Sequence, residues 1–131
     1  MSTVTNWDEL AHQAAQTIAE RTGVSRHDTA VVLGSGWGGA ADAFEVTADI
    51  AYPDLPGFTA SAVVGHSGSL RSCRVGDKNV LFFAGRTHYY EGRGVRAVVH
   101  AVRTAAAAGC RAIVLTNGCG GLRPEWAPGT P

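Results

Sequence analysis

The sequence predicts an α/β fold with a mixed, largely parallel central sheet flanked by helices. Three observations predict it. β-prone runs alternate with helical patterns along the 131 residues. "RAIVLTN" (111–117) is a continuous apolar strand, of the kind buried on both faces of a sheet. Two strands run straight into glycine-rich turns, at "VVLGSGWGGA" (31–40) and "IVLTNGCGGL" (113–122).

The first element is a helix. In "NWDELAHQAAQTIAERTG" (6–23), Asn6 serves as N-cap with Glu9 three residues on, and Gly23 supplies the stop. Trp7, Leu10, Ala11, Ala14, Ala15, Ile18 and Ala19 recur at helical spacing and define one buried face. A strand at 29–33 enters the glycine loop, and a short helical piece runs toward Ala43. Residues 44–51 alternate as a strand, and "YPDLPGF" (52–58) is a proline-rich loop. Three further strands are expected at 62–65, 70–75 and 80–84, the last two joined at Gly76-Asp77-Lys78. A second helix covers 95–108, with Val95, Val98, Val99, Val102, Ala105 and Ala106 inward and Gly109 ending it. The apolar strand 111–117 then opens into "GCGGLRPEWAPGTP" (118–131). A buried central strand requires a covering element after it. Either the last loop packs back over it, or the chain is the N-terminal part of a longer fold.

A length of 131 residues suits one domain with one core. Eleven basic and eleven acidic residues give a formal charge of zero, so nothing favours nucleic acid or an anionic membrane as partner. The apolar stretches fall short of the roughly 20 residues that cross a bilayer. "MSTVTNWDEL" has neither a basic nor an apolar region of a signal peptide. Cys73, Cys110 and Cys119 are odd in number and lack C-x-x-C spacing, so they read as reduced thiols and not as a disulfide or metal site. The expectation is a cytoplasmic protein with no cofactor, or with a small ligand. Any anion must be held by a few placed groups.

Four segments carry candidate chemistry. Gly34, Gly36 and Gly39 satisfy G-x-G-x-x-G after a strand, a geometry that aims backbone N–H groups at an anion, with Ser35 adding a hydroxyl. The same glycines equally suit a tight turn. A dinucleotide site also needs an acidic residue about 20 positions on, at the end of a second strand. Asp49 comes too early and Asp54 lies between prolines in a loop, which weakens that reading. In "GRTHYYEG" (85–92), Arg86 and His88 leave a strand end two residues apart. A guanidinium fork and an imidazole clamp a phosphate there, or else mark a solvated strand end. Of Tyr89 and Tyr90, at most one shares their side. His66 in "VVGHSG" either joins that anion or is a surface residue. In "TNGCGG" (116–121), the N–H of Gly118 or Cys119 faces a ligand, while Cys119 lacks a base nearby in sequence and reads as a packing residue more than a nucleophile. His12, His27 and His100 read as ordinary surface histidines. All four segments sit at strand termini, where open α/β sheets bind ligands.

"VVLGSGWGG", "PGFTASAVVGHSGSL", "FFAGRTHYYEG" and "IVLTNGCGGLRPEWAPG", in this order and spacing, resemble the purine nucleoside phosphorylases of the trimeric class from about Thr29 onward. "GRTHYYEG" also separates the chain from methylthioadenosine phosphorylases. The resemblance implies that Ser35, Arg86, His88 and the Gly118 amide bind phosphate, that His66 stands beside it in a secondary role, and that Tyr90 contacts ribose. The family commonly has alanine at the positions of Gly118 and Cys119, and a main-chain donor survives that change. The implied reaction is phosphorolysis of purine (deoxy)nucleosides to free base and (deoxy)ribose 1-phosphate. Inorganic phosphate is the co-substrate, with no cofactor or metal, and the full-length enzyme is a homotrimer. Family members are about twice as long, and the residues that grip the base lie in the part this chain does not include. The chain therefore reads as the N-terminal half of one such domain, inactive alone. Alternatives are a non-catalytic fragment that associates with phosphorylase subunits, or a dinucleotide-binding module.

Overall fold

The computed structural model describes residues 4–60 and 68–131. Helix α1 (Trp7–Thr22) starts where Asn6 Oδ1 accepts the Glu9 N–H at 3.2 Å. It stops at Gly23, whose left-handed φ of 71° lets its N–H reach the Ala19 carbonyl at 2.9 Å. Ala11, Ala14, Ala15 and Ile18 form its buried face. The strands are β1 (Thr29–Leu33), β2 (Glu45–Ala51), β3 (Ser69–Val75), β4 (Lys78–Ala84) and β5 (Ala112–Leu115). Among the described residues they form one mixed sheet in the order β2-β3-β4-β1-β5. β1 pairs in parallel with β4 and β5, while β2–β3 and β3–β4 are antiparallel. The β3–β4 hairpin turns on Gly76 (φ 61°) and Asp77, with glycine at the one position that needs a positive φ.

Strand periodicity divides the core into two layers. Along β4, Leu81 and Phe83 join Ala30, Val32, Leu70 and Ile50 under the helices, while Val80 and Phe82 join Leu33, Cys73 and Ala41 on the other face. β4, buried on both faces, is thus the strand that the sequence pattern suggested for 111–117. β5 stands at the end of the sheet and pairs with β1 alone among the described residues, leaving Val114 49% and Leu115 62% exposed. An uninterrupted apolar run records the lack of polar residues; burial depends on what lies on either side of it.

The second helical stretch also differs from its expected form. It divides at Val99 (φ −89°, ψ 0°) into α2 (Val95–Val98) and α3 (His100–Ala107). Its inward stripe is His100, Thr104, Ala105 and Ala108, whereas Val95 and Val102 are exposed. The phase is set by His100. Its ring packs edge-on to Trp7 (centroids 5.3 Å apart) and against Phe58 (4.7 Å), and its Nε2 donates to the Pro56 carbonyl at 2.8 Å. His27 is likewise interior, 1% exposed, with Nε2 2.8 Å from Ser72 Oγ. Only His12 of the three supposed surface histidines is exposed. The strand expected at 62–65 lies outside the described residues. No helix among the described residues is long and apolar enough to cross a membrane.

Candidate phosphate site at the strand ends

The three parallel strands finish level with one another. Leu33 of β1 stands opposite Ala84 of β4, and Val32 opposite Leu115 of β5. The segments beginning at Gly34, Gly85 and Thr116 therefore leave one edge of the sheet. β3 enters at this edge too, since Ser69 pairs with Ala84.

Thr116 joins the three exits. Its N–H and its hydroxyl both donate to the Val32 carbonyl, at 3.0 and 2.8 Å. The same hydroxyl accepts the Gly34 N–H at 2.9 Å, and the Thr116 carbonyl accepts from Arg86 Nη1 at 2.8 Å. Trp37 Nε1 adds a donation to the Asn117 carbonyl at 3.3 Å. A Cβ on Gly34 would lie 2.7 Å from the Thr116 oxygen and 2.9 Å from Asn117 Cα, so only glycine fits there. A Cβ on Gly118 would stand 3.2 Å from the Ser35 carbonyl oxygen, which puts the Gly118 backbone against Ser35. The N–H groups of Ser35, Gly36 and Gly118 make no hydrogen bond among the described residues. Ser35, Arg86 and Gly118, each exposed, are thus drawn to one place.

His88 and Tyr90 follow Arg86 as a stacked pair, ring centroids 4.8 Å apart and 16° from parallel. Tyr90, not Tyr89, is therefore the tyrosine on the histidine's side. His88 caps the short 3-10 turn Tyr89–Glu91 in a reciprocal box. Its N–H donates to Glu91 Oε2, and its Nδ1 lies 3.4 Å from the same oxygen. Donation from the His88 backbone holds the Glu91 carboxyl below the usual carboxylate range. With Nδ1 turned to Glu91, Nε2 is the ring nitrogen left for a ligand. His66 lies outside the described residues.

Arg86 is also fixed from its backbone side. Tyr52, 6% exposed, donates its phenol proton to the Gly85 carbonyl at 2.6 Å. Burial pushes that phenol above its ordinary range, so it remains a neutral donor. On the helical side, Tyr52, Phe58, His100 and Leu115 line a mainly apolar cavity of about 520 Å³ that Arg86 and Thr87 also border.

Sequence reasoning misses Thr116, Tyr52 and Glu91 as supports. Glu91 carries a signal, the acidic residue three positions after a capping residue. Thr116 and Tyr52 carry none, because their partners are 30 or more residues away.

The glycine loop lacks the parts a dinucleotide requires. It leads into a six-residue 3-10 helix, Gly38–Ala43, too short for an appreciable macrodipole. A Cβ on Gly39 would meet nothing closer than Asp42 Oδ2 at 3.8 Å, so the third glycine permits no close helix–strand packing. Asp49 sits on β2, three strands from β1, paired with Arg71 at 3.2 Å, and Asp54 lies 3.8 Å from Arg21. Neither acid lies on a strand that neighbours β1.

Comparison with known proteins places the chain in a family. A purine nucleoside phosphorylase from Cellulomonas sp is 55% identical over 128 residues, covering 93% of this chain and 45% of that protein. Isoform 2 of the Schistosoma mansoni purine nucleoside phosphorylase, solved with cytosine and ribose-1-phosphate, is 31% identical with a TM-score of 0.78 over 89% of this chain and 41% of its own. A purine nucleoside phosphorylase solved with ribose-1-phosphate is 30% identical with a TM-score of 0.82, over 95% of this chain and 46% of its own. The chain spans about half the length of the curated relatives it matches. Residues 28–131, from just before β1 through all three strand exits, match the family model of the phosphorylase superfamily, and the chain belongs to that superfamily.

Proposed function

We propose that these residues are the N-terminal portion of a single nucleoside phosphorylase domain. In this reading they supply the phosphate-binding site, and part of the ribose site, of a cytoplasmic purine nucleoside phosphorylase. The observation that carries the reading is the meeting of Ser35, Arg86 and Gly118 at one sheet edge, tied together through Thr116. The bound ribose-1-phosphate of two structural neighbours is the expected product of such a site.

The reaction is phosphorolysis of a purine (deoxy)nucleoside. A phosphate oxygen attacks the anomeric carbon, the glycosidic C–N bond breaks, and the bond's electron pair leaves with the purine. The departing purine takes up a proton, on balance the one that hydrogen phosphate gives up. Free base and (deoxy)ribose 1-phosphate result, through an oxocarbenium-like transition state akin to that of glycoside hydrolysis. Phosphate is itself the nucleophile, so no carboxylate pair and no cofactor is required. The work of these residues is to hold the anion in line with the sugar. The Ser35 hydroxyl and the amides of Ser35, Gly36 and Gly118 donate to phosphate oxygens. Arg86, with one N–H committed to Thr116, presents its remaining donors to the same anion. His88 adds Nε2, Tyr90 stacked on it borders the ribose, and His66 has a secondary role beside the phosphate. Grip on the purine falls to residues of the full-length protein outside this chain, as does its assembly as a homotrimer.

The test is titration of the 131-residue chain with inorganic phosphate and, separately, with NAD, followed through the backbone amide resonances of Ser35, Gly36 and Gly118. Phosphate is expected to shift them weakly and NAD to leave them unchanged. In the same preparation, inosine plus phosphate is expected to yield negligible hypoxanthine. Release at a rate near that of a full-length phosphorylase overturns the assignment of the chain as a partial site. The exposure of Val114, Leu115 and Leu122 favours a second reading, association with phosphorylase subunits. Size-exclusion of the chain with and without a full-length relative distinguishes it.

A further inference from the structure

We infer that Thr116 is a positioning residue of the phosphate site, setting the glycine-loop amides and the Arg86 guanidinium in one fixed relation. The inference rests on the phosphate reading of the site and gives Thr116, which that reading uses only as a tie between the strand exits, a role of its own. Thr116 touches no proposed ligand. It acts through two others.

Its side chain and its carbonyl do separate jobs. The hydroxyl donates to the Val32 carbonyl at 2.8 Å and accepts the Gly34 N–H at 2.9 Å. It therefore bridges the end of β1 to the first residue of the loop, and engages the Gly34 N–H so that it does not turn to the anion. With Gly34 held, the next N–H groups, of Ser35 and Gly36, are the ones left to converge on a ligand. The carbonyl takes Arg86 Nη1 at 2.8 Å. Arg86 is exposed and would otherwise sample many rotamers; one fixed N–H orients the plane of the fork before an anion arrives. Thr116 itself is held in place by its own N–H to Val32 at 3.0 Å, a continuation of the β1–β5 ladder. Serine retains the hydroxyl at this position; valine keeps the shape and removes it.

The experiment compares the wild-type chain with Thr116→Val and Thr116→Ser. Two quantities are read: amide hydrogen exchange at Gly34 without ligand, and the dissociation constant for inorganic phosphate from amide shifts at Ser35 and Gly36. Thr116→Val is expected to speed Gly34 exchange and to weaken phosphate binding about fivefold, the loss of one hydrogen bond's net contribution. Thr116→Ser is expected to restore both to within about twofold of wild type. Thermal unfolding of each variant checks that the fold is retained, and the serine variant decides the matter where valine unfolds the chain. Unchanged Gly34 exchange and unchanged phosphate affinity in Thr116→Val overturn the inference. So does a serine variant as impaired as the valine one. A wild-type chain whose amides ignore phosphate overturns the proposed function instead, and Gly34 exchange then judges the Thr116 bridge by itself.

Discussion

The phenol of Tyr52 donates to the carbonyl of Gly85 at 2.6 Å, so a buried residue of the proline-rich loop fixes the peptide immediately before Arg86. Gly85 follows the end of β4 with φ +115°, a conformation that suits glycine, and Tyr52 is the donor to its carbonyl. Tyr52→Phe removes the donor while keeping the ring that packs on Phe58 at 5.0 Å. The expected cost is about 1–2 kcal/mol of unfolding free energy, with phosphate affinity reduced about threefold because Arg86 loses its anchor. Denaturant unfolding and a phosphate titration measure the two effects. A Phe variant that loses stability but binds phosphate as the wild type does would assign Tyr52 to the core alone.

The three glycines of the G-x-G-x-x-G pattern, Gly34, Gly36 and Gly39, are expected to separate sharply on substitution. Gly34→Ala drives a methyl into the Thr116 carbonyl and Asn117 Cα, both backbone atoms that cannot turn aside, and is expected to cost about 2 kcal/mol or more. Gly36→Ala meets no atom within 4 Å but forces φ +82° on a residue with a Cβ, at about 1 kcal/mol. Gly39→Ala has both room and an ordinary φ, and is expected to be neutral or stabilising by up to about 1 kcal/mol. A dinucleotide fold predicts the opposite for the third glycine, which packs its helix on the strand. Thermal denaturation of the three variants therefore discriminates two readings of one motif.

The contrast between the glycine loop and β5 explains what was legible in the sequence. A strand running into glycines is a local pattern, and all three exits end at the expected edge because parallel pairing sets Leu33 opposite Ala84 and Val32 opposite Leu115. Which strand is interior is not local. β4 and β5 read alike as apolar runs, yet β4 lies between β3 and β1, and β5 at the end of the sheet. The second helix failed for a related reason. Its valines made the more convincing apolar stripe, but the side chain with partners on other elements was His100, and that fixed the rotation. Supports such as Thr116 and Tyr52 exist only as relations across 30 or more residues, so no window of sequence contains them.

Glu91 offers a third test, at the far side of the site. Its carboxylate accepts the His88 N–H and faces His88 Nδ1, which orients the ring with Nε2 outward. Glu91→Gln keeps an acceptor for the N–H and removes the charge that draws Nδ1. Phosphate affinity is expected to fall about threefold, the scale of one exposed charged pair. Ring nitrogen shifts of His88 are expected to change in step, and a variant with altered ring shifts but unaltered phosphate affinity would remove His88 from the anion site. The Glu91 carboxyl lies below its ordinary range when folded, so its contribution is present above the unfolded value of 4.5 and is lost as pH falls through the folded value.

The two interior histidines give the fold a pH dependence of definite sign. Burial lowers the pKa of His27 below 6.5 against the opposing charge of Asp28. Burial also lowers that of His100, reinforced by Arg103 and opposed by the hydrogen bond to Pro56. In the unfolded chain both rings take up a proton near pH 6.5; in the folded chain they resist until lower pH. Between those values the unfolded state binds more protons, so stability rises with pH and falls on acidification from about pH 6.5. Each histidine contributes a slope of at most about 1.4 kcal/mol per pH unit. The slope levels off above pH 6.5, where both states are neutral, and below the folded values, where both are charged. Nδ1 of His100 has no hydrogen-bond partner among the described residues, so its protonation places an unpaired cation between Trp7 and Phe58. Unfolding free energies of the wild type and of His27→Gln, His100→Gln and the double variant, measured from about pH 5 to about pH 8, test this. Each substitution lowers stability at the alkaline end, where the ring's packing is lost, but is expected to flatten the acid limb. A double variant that retains the full wild-type slope would place the acid sensitivity on other groups.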